Sequence, residues 1–162
     1  MLIKLLVLVL LALNSKAPDF ALEGSDGKKH ALKEFHGRYL VLYFYPRDDT
    51  PGCTIEAKGF SSKIADIKKL GAEVVGVSSD DIESHNKFCS KHGLRLLLLS
   101  DTSSATIKKY DSYGSRGIFG MGTLRKTFLI GKDGKIKEIF EKVNPMGHAD
   151  QIIMAIKKHE GK

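Results

Sequence analysis

The chain has 162 residues, of which 42% are apolar and 28% charged, which suits one domain with a single core and excludes an intrinsically disordered chain. Its formal net charge of +7 would suit a polyanion. The basic residues, however, are scattered as doublets such as Lys28 with Lys29 and Lys157 with Lys158, with no run and no interleaved aromatics, so nucleic-acid binding is not indicated. Two cysteines are too few for a disulfide scaffold or a four-cysteine zinc site, which leaves inert packing, one disulfide or redox chemistry.

Residues 5–13 form an unbroken apolar run after a lone Lys4. The run matches the hydrophobic part of a secretory signal and falls short of the roughly 20 residues of a bilayer span. Ser15-Lys16-Ala17 offers small residues for cleavage, but the cut would precede Pro18. Two readings stand. Residues 1–14 are an apolar extension of a cytoplasmic protein, packed on the domain or on a partner, or they export or tether the chain with membrane contact through residues 2–13. Residues 15–162 are assigned to the domain.

From Pro18 onward the periodicity is legible. Residues 20–22 and 29–32 flank Ser25-Asp26-Gly27 and predict a small hairpin. Residues 39–45 are β-branched, aromatic and leucine with little polar alternation, as in a strand buried on both faces. Residues 51–70 predict a helix with Ile55, Ile64, Ile67 and Leu70 on its inner face, ended by Gly71. Residues 73–79 predict a second buried strand, 81–92 a helix closed by Gly93, 96–99 a strand and 104–110 a helix. "SYGSRGIFGMGTL", with Gly114, Gly117, Gly120 and Gly122, predicts a flexible loop. Residues 125–130 and 135–142 predict two strands around the turn "GKDGK", and 149–158 a helix with Ile152, Ile153, Ala155 and Ile156 inward. This order implies an α/β fold with a central mixed sheet flanked by helices, in the thioredoxin order, preceded by an N-terminal hairpin extension.

Cys53 falls in the first turn of the first long helix, behind Thr50 as its cap and Pro51 at its first position. Unpaired N–H groups and the positive end of the helix dipole there favour an anion, and hence the thiolate, which is the reactive form of cysteine. Thr50 adds a hydroxyl beside the sulfur. A buried structural cysteine on an amphipathic helix remains the alternative on local grounds.

Pro46-x-x-x-Thr50-x-x-Cys53 resembles the peroxiredoxin signature. "YFYPRDDTPGCTIEA" is similar to its form in the bacterioferritin comigratory protein, or peroxiredoxin Q, subfamily. "KAPDFAL" from Lys16, "VVGVSSDDIESH" from Val74, "LLSD" from Leu98 and "RKTFLIGKDGKI" from Arg125 extend the likeness from about residue 14 to the C-terminus. The resemblance implies a thioredoxin-like fold and a cysteine peroxidase acting on hydrogen peroxide and organic hydroperoxides without cofactor or metal. It implies Cys53 as nucleophile, Thr50 as the group orienting the peroxide, Pro46 as a shield against water and Arg125 as the active-site arginine. Glu56 matches the carboxylate that holds this arginine, its other reading being a first-turn Glu favoured by the helix dipole. Tyr43 and Phe44 are expected to wall the pocket, and Phe119 and Met121 to shape peroxide preference.

Many members of the subfamily place a resolving cysteine five residues after the first. Lys58 stands there, so the resemblance assigns that role to Cys89, with thioredoxin or a similar dithiol as reductant and a monomer as the oligomeric state. His85, Cys89 and His92 share one helix face, which can be read as part of a metal site, a solvated face, or histidines that ionise Cys89. A protein thiol-disulfide oxidoreductase is disfavoured because the chain has no CxxC. A peroxide-sensing or chaperone-like protein using the same cysteine as a switch is the alternative, since sensing and turnover share their first chemical step.

Overall fold

The computed structural model describes residues 11–161; the readings placed on residues 1–10 lie outside them. Leu11 packs on the core and the Asn14 N–H donates to the Ile136 carbonyl at 2.7 Å, so residues 11–14 lie on the domain.

The expected hairpin is β1 (Ala21–Gly24) and β2 (Lys29–Ala31), turning through Gly27 at a φ of 79° that a β-carbon would strain. β3 (Tyr39–Phe44) is buried throughout. α1 (Pro51–Lys69) carries the chain across to β4 (Ala72–Ser78), parallel to β3, and α2 (Ile82–His92) carries it to β5 (Leu97–Ser100), parallel to β4. Asp81 caps α2 by accepting from the Ser84 N–H at 2.8 Å, and Gly93 closes it in the left-handed conformation. After the short α3 (Ala105–Lys109), β6 (Tyr113–Ser115) and β7 (Met121–Thr123) form a separate two-stranded ribbon. β8 (Lys126–Ile130) then returns antiparallel to β3, β9 (Ile136–Phe140) pairs with β8, and α4 (His148–Glu160) packs beside α1. The resulting seven-stranded sheet has the order β2-β1-β5-β4-β3-β8-β9.

Side chains alternate across a strand, so β3 feeds two cores. Tyr39, Val41, Tyr43 and Tyr45 join Phe60, Ile67, Phe88, Ile152 and Ile156 on the face covered by α1, α2 and α4. Leu40, Leu42 and Phe44 join Phe20, Phe35, Ile107, Tyr110 and Phe128 on the other face.

Two expectations need correction. Ile55 is 45% exposed: its nine-residue spacing from Ile64 is about two and a half helical turns, which puts the two on opposite sides. The inner stripe is instead Cys53, Glu56, Ala57, Phe60, Ile64 and Ile67. The glycine-rich loop is the β6–β7 ribbon, with Gly114 directly opposite Gly122 and the positive-φ residues Gly117 and Gly120 at its tip. The paired glycines lack the β-branched signal that marks a strand.

Gly76 lies in register between Tyr43 on β3 and Leu98 on β5. A β-carbon there would sit 2.7 Å from Tyr43 Cζ and 2.8 Å from Leu98 Cδ2. Gly76→Ala is expected to destabilise the fold by about 1–3 kcal/mol, read as a lower urea midpoint at unchanged slope.

Candidate active site

The site forms where β3 ends and α1 begins, at the carboxyl edge of the parallel strands. The chain turns through Asp49, at a φ of 59°, and enters the helix at Thr50. Thr50 holds the cap position, but its hydroxyl donates to the Arg47 carbonyl at 2.9 Å instead of accepting from the helix. The expected side-chain cap is therefore not made. Pro51 has no N–H, and the first helical bond is Thr54 N–H to the Thr50 carbonyl at 2.9 Å. Among the described residues the N–H groups of Gly52 and Cys53 have no acceptor, so they and the dipole are available to an anion.

Cys53 is a free thiol, 1% exposed. Glu56 follows one turn later on the same buried stripe. Arg125 precedes β8, whose antiparallel register with β3 pairs Lys126 with Phe44 and so brings the arginine to the mouth of α1. Arg125 Nη1 donates to Glu56 Oε1 at 2.8 Å, and Nη2 to Cys53 Sγ at 3.4 Å. Sequence separations of 69 and 72 residues are thereby closed by one side chain.

Burial pushes the Glu56 carboxyl up to about 7, against the opposing pull of the Arg125 charge and hydrogen bond. For Arg125 burial acts the other way, but the negative groups at Cys53 and Glu56 outweigh it and raise its pKa. Two buried polar atoms, Tyr43 Oη and Glu56 Oε2, have no hydrogen-bond partner among the described residues. Both belong to groups close to the sulfur: Tyr43 shares its core cluster, and Glu56 its helix stripe.

Pro46 lies half-buried in the same loop. Tyr43 is on the sulfur's side of the sheet, but Phe44 is not: it packs with Tyr110 and Phe128 on the opposite face, because neighbouring strand residues point opposite ways. Phe119 and Met121 are exposed on the ribbon. Cys89 is a free, half-buried thiol in the last turn of α2, packed against the cluster that holds Cys53. Burial, then the Asp48 charge, push the Cys89 thiol up, so the flanking histidines do not ionise it. His85 is bonded to Asp48 and the Leu99 carbonyl, and His92 to Asp49. Both rings are thus engaged with carboxylates, and His85 is fully buried, so the helix face they share with Cys89 is not a solvated one.

Two contributors escape sequence reading. Gly52 lets Arg125 approach: a β-carbon there would lie 3.0 Å from Arg125 Nη2 and 3.7 Å from Pro145 Cγ. Asp48 and Asp49 reach across to α2. A glycine in a first turn and a pair of loop aspartates carry no periodic signal, and their partners lie about 30 to 90 residues further on.

The AhpC/TSA family model matches residues 13–139. The chain is 41% identical to the putative peroxiredoxin bcp of Helicobacter pylori, over 86% of this chain and 94% of that protein. It is 39% identical to peroxiredoxin Bcp of Bacillus subtilis, over 90% and 94%. Among solved structures, a cysteine-to-serine mutant of Xylella fastidiosa PrxQ superposes with a TM-score of 0.89 at 31% identity, covering 93% of this chain and 98% of that one. The Xanthomonas campestris bacterioferritin comigratory protein, solved as trapped intermediate and ligand complexes bearing on its alkyl peroxide reduction, gives 0.84 at 35% identity with the same coverage. With a free thiol at a helix mouth facing a half-buried guanidinium, and relatives of this kind along nearly its whole length, the chain belongs to the AhpC/TSA family, as a thiol-dependent peroxidase of the bacterioferritin comigratory protein, or peroxiredoxin Q, branch.

Proposed function

We propose that Cys53 is the peroxidatic nucleophile, acting on hydrogen peroxide and organic hydroperoxides with Arg125, Glu56, Thr50 and Pro46 as its partners. The observation that carries this reading is the single guanidinium bonded to both Cys53 Sγ and Glu56 Oε1. The Cys53 thiolate attacks one peroxide oxygen, the O–O bond breaks, the sulfur becomes a sulfenic acid and the departing alkoxide or hydroxide takes a proton. Negative charge moves from sulfur to the leaving oxygen, and a fork with several N–H groups can follow it, as can the free Gly52 and Cys53 N–H groups. The Thr50 proton is engaged by the Arg47 carbonyl, which leaves its oxygen as an acceptor for the peroxide O–H. Pro46, without an N–H, offers water no donor beside the sulfur.

The Cys89 thiol then attacks the sulfenic sulfur, giving the Cys53–Cys89 disulfide and water. Thioredoxin or a similar dithiol returns the disulfide to two thiols. The working form is a cytoplasmic monomer. No helix among the described residues is long and apolar enough to cross a membrane, and membrane contact, where it occurs, runs through residues 2–13.

Peroxide consumption coupled to thioredoxin and its reductase tests the assignment. Cys53→Ser is expected to abolish turnover, and unchanged turnover refutes the reading. Cys89→Ala is expected to keep the first burst of peroxide reduction and to lose the intramolecular disulfide, seen by mass after a peroxide pulse.

Gly52→Ala tests the approach of Arg125. It should lower the rate of sulfenic acid formation, by less than the roughly 100-fold that outright loss of an oxyanion donor costs, while leaving stability equal or higher, because Ala is the better helix former.

Glu56 makes a pH-dependent contribution to stability. Its folded value of about 7 lies above the ordinary 4.5, so its contribution is fully present below about pH 4.5 and is lost as pH rises through about 7. Glu56→Gln is expected to match the wild type in stability near about pH 4 and to exceed it near about pH 8. It should also slow peroxide reduction, because Arg125 loses its anionic partner.

A further inference from the structure

The loop that delivers Cys53 is fastened to α2 at both ends of the segment carrying Cys89. At the near end, buried Asp48 uses both carboxylate oxygens. Oδ1 accepts from the Tyr45 hydroxyl at 2.5 Å; Oδ2 accepts from Ser84 Oγ and from His85 Nδ1, each at 2.7 Å. The Asp48 N–H donates to Asp80 Oδ2 at 2.9 Å. His85 is fully buried, and its Nε2 donates to the Leu99 carbonyl at 2.9 Å. A carbonyl and a carboxylate only accept, so both ring nitrogens carry hydrogen and the ring is an imidazolium. Burial alone would lower its pKa, but the Asp48 bond and charge, with the Leu99 carbonyl, raise it.

At the far end, the next residue, Asp49, is exposed. Its Oδ2 accepts from Lys91 Nζ at 2.6 Å, and its Oδ1 from His92 Nε2 at 2.7 Å. Cys89 lies between these two fastenings, and α2 is continuous through His92, where Gly93 caps it by donating to the Cys89 carbonyl.

The two fastenings have different strengths. Parting Asp48 from His85 would strand a buried charge, which is strongly disfavoured. Asp49 and Lys91 are both exposed, so parting them is weakly opposed and salt screens it further, and the bond from His92 to Asp49 is lost to water with them. We propose that Asp49 is a positioning residue for disulfide formation: it holds the Cys89 end of α2 closed on the Cys53 loop while peroxide is reduced, and its release lets residues 86–92 unwind while Asp48 and His85 keep the start of the helix anchored. The inference rests on the assignment of Cys89 as the resolving thiol. In the step it controls, the Cys89 sulfur bonds to the Cys53 sulfur, the S–O bond of the sulfenic acid breaks, and the thiol proton leaves with the hydroxide as water. Peroxide supplies the oxidation.

Rapid quenching after a peroxide pulse, with mass readout of sulfenic, sulfinic and disulfide species, tests this on the full chain. Asp49→Asn should form the disulfide about fivefold faster, the upper size expected from one exposed ion pair with Lys91, with an unchanged rate of sulfenic acid formation. It should also show less sulfinic acid at high peroxide. Asp49→Glu should return the rate toward wild type. In the wild type, added salt should speed disulfide formation, and Asp49→Asn should be nearly insensitive to salt. The wild-type salt series reads the same contact without any substitution. A wild-type disulfide rate that neither salt nor Asp49→Asn alters overturns the role of Asp49 and leaves Cys89 as resolving thiol. A wild-type chain that forms no Cys53–Cys89 disulfide overturns both.

Discussion

One guanidinium joins the two buried groups of the candidate site. Glu56 lies buried on the inner stripe of α1, and Cys53 lies buried one turn before it. An ionised carboxylate is costly to bury there without a fixed counter-charge. Arg125 supplies that charge to Glu56 and also donates to Cys53, and it can do so because β8 pairs with β3 in one register. A slip of one residue would turn Arg125 and every β8 side chain to the opposite face. The fully apolar, doubly buried β3 is thus more than core: it sets the position of the arginine against the sulfur.

Polar groups left unsatisfied gather at the same place. Among the described residues, Tyr43 Oη and Glu56 Oε2 are buried without partners, and burial pushes the Glu56 carboxyl up to about 7. Buried polar atoms normally find partners, and exceptions concentrate where function requires them. Stability and reactivity are opposed here, since the carboxylate that steadies Arg125 is itself costly to bury.

The sequence was most legible where the signal was local. The unbroken apolar run of β3, the Gly71 and Gly93 stops, the "GKDGK" turn and the helix mouth at Thr50 to Cys53 each depend on neighbours within a few residues. Errors arose where direction or distance decided the outcome. Residue type alone points Ile55 inward and Phe44 to the pocket, but the helical and strand angles turn Ile55 to solvent and Phe44 to the opposite face of the sheet. The β6–β7 ribbon lacked strand-forming residues at its paired glycines. Thr50 gave its hydroxyl to a turn, and Asp48 and Asp49 found partners on α2, through space that no spacing encodes.

The long separation between Cys53 and Arg125 also has a consequence in time. A ribosome adding about 5–20 residues per second needs several seconds to bring out the arginine after the cysteine. Until β8 docks antiparallel on β3, the sulfur has no guanidinium beside it. The sulfur therefore gains its hydrogen-bonding partner only when the last strands of the sheet close.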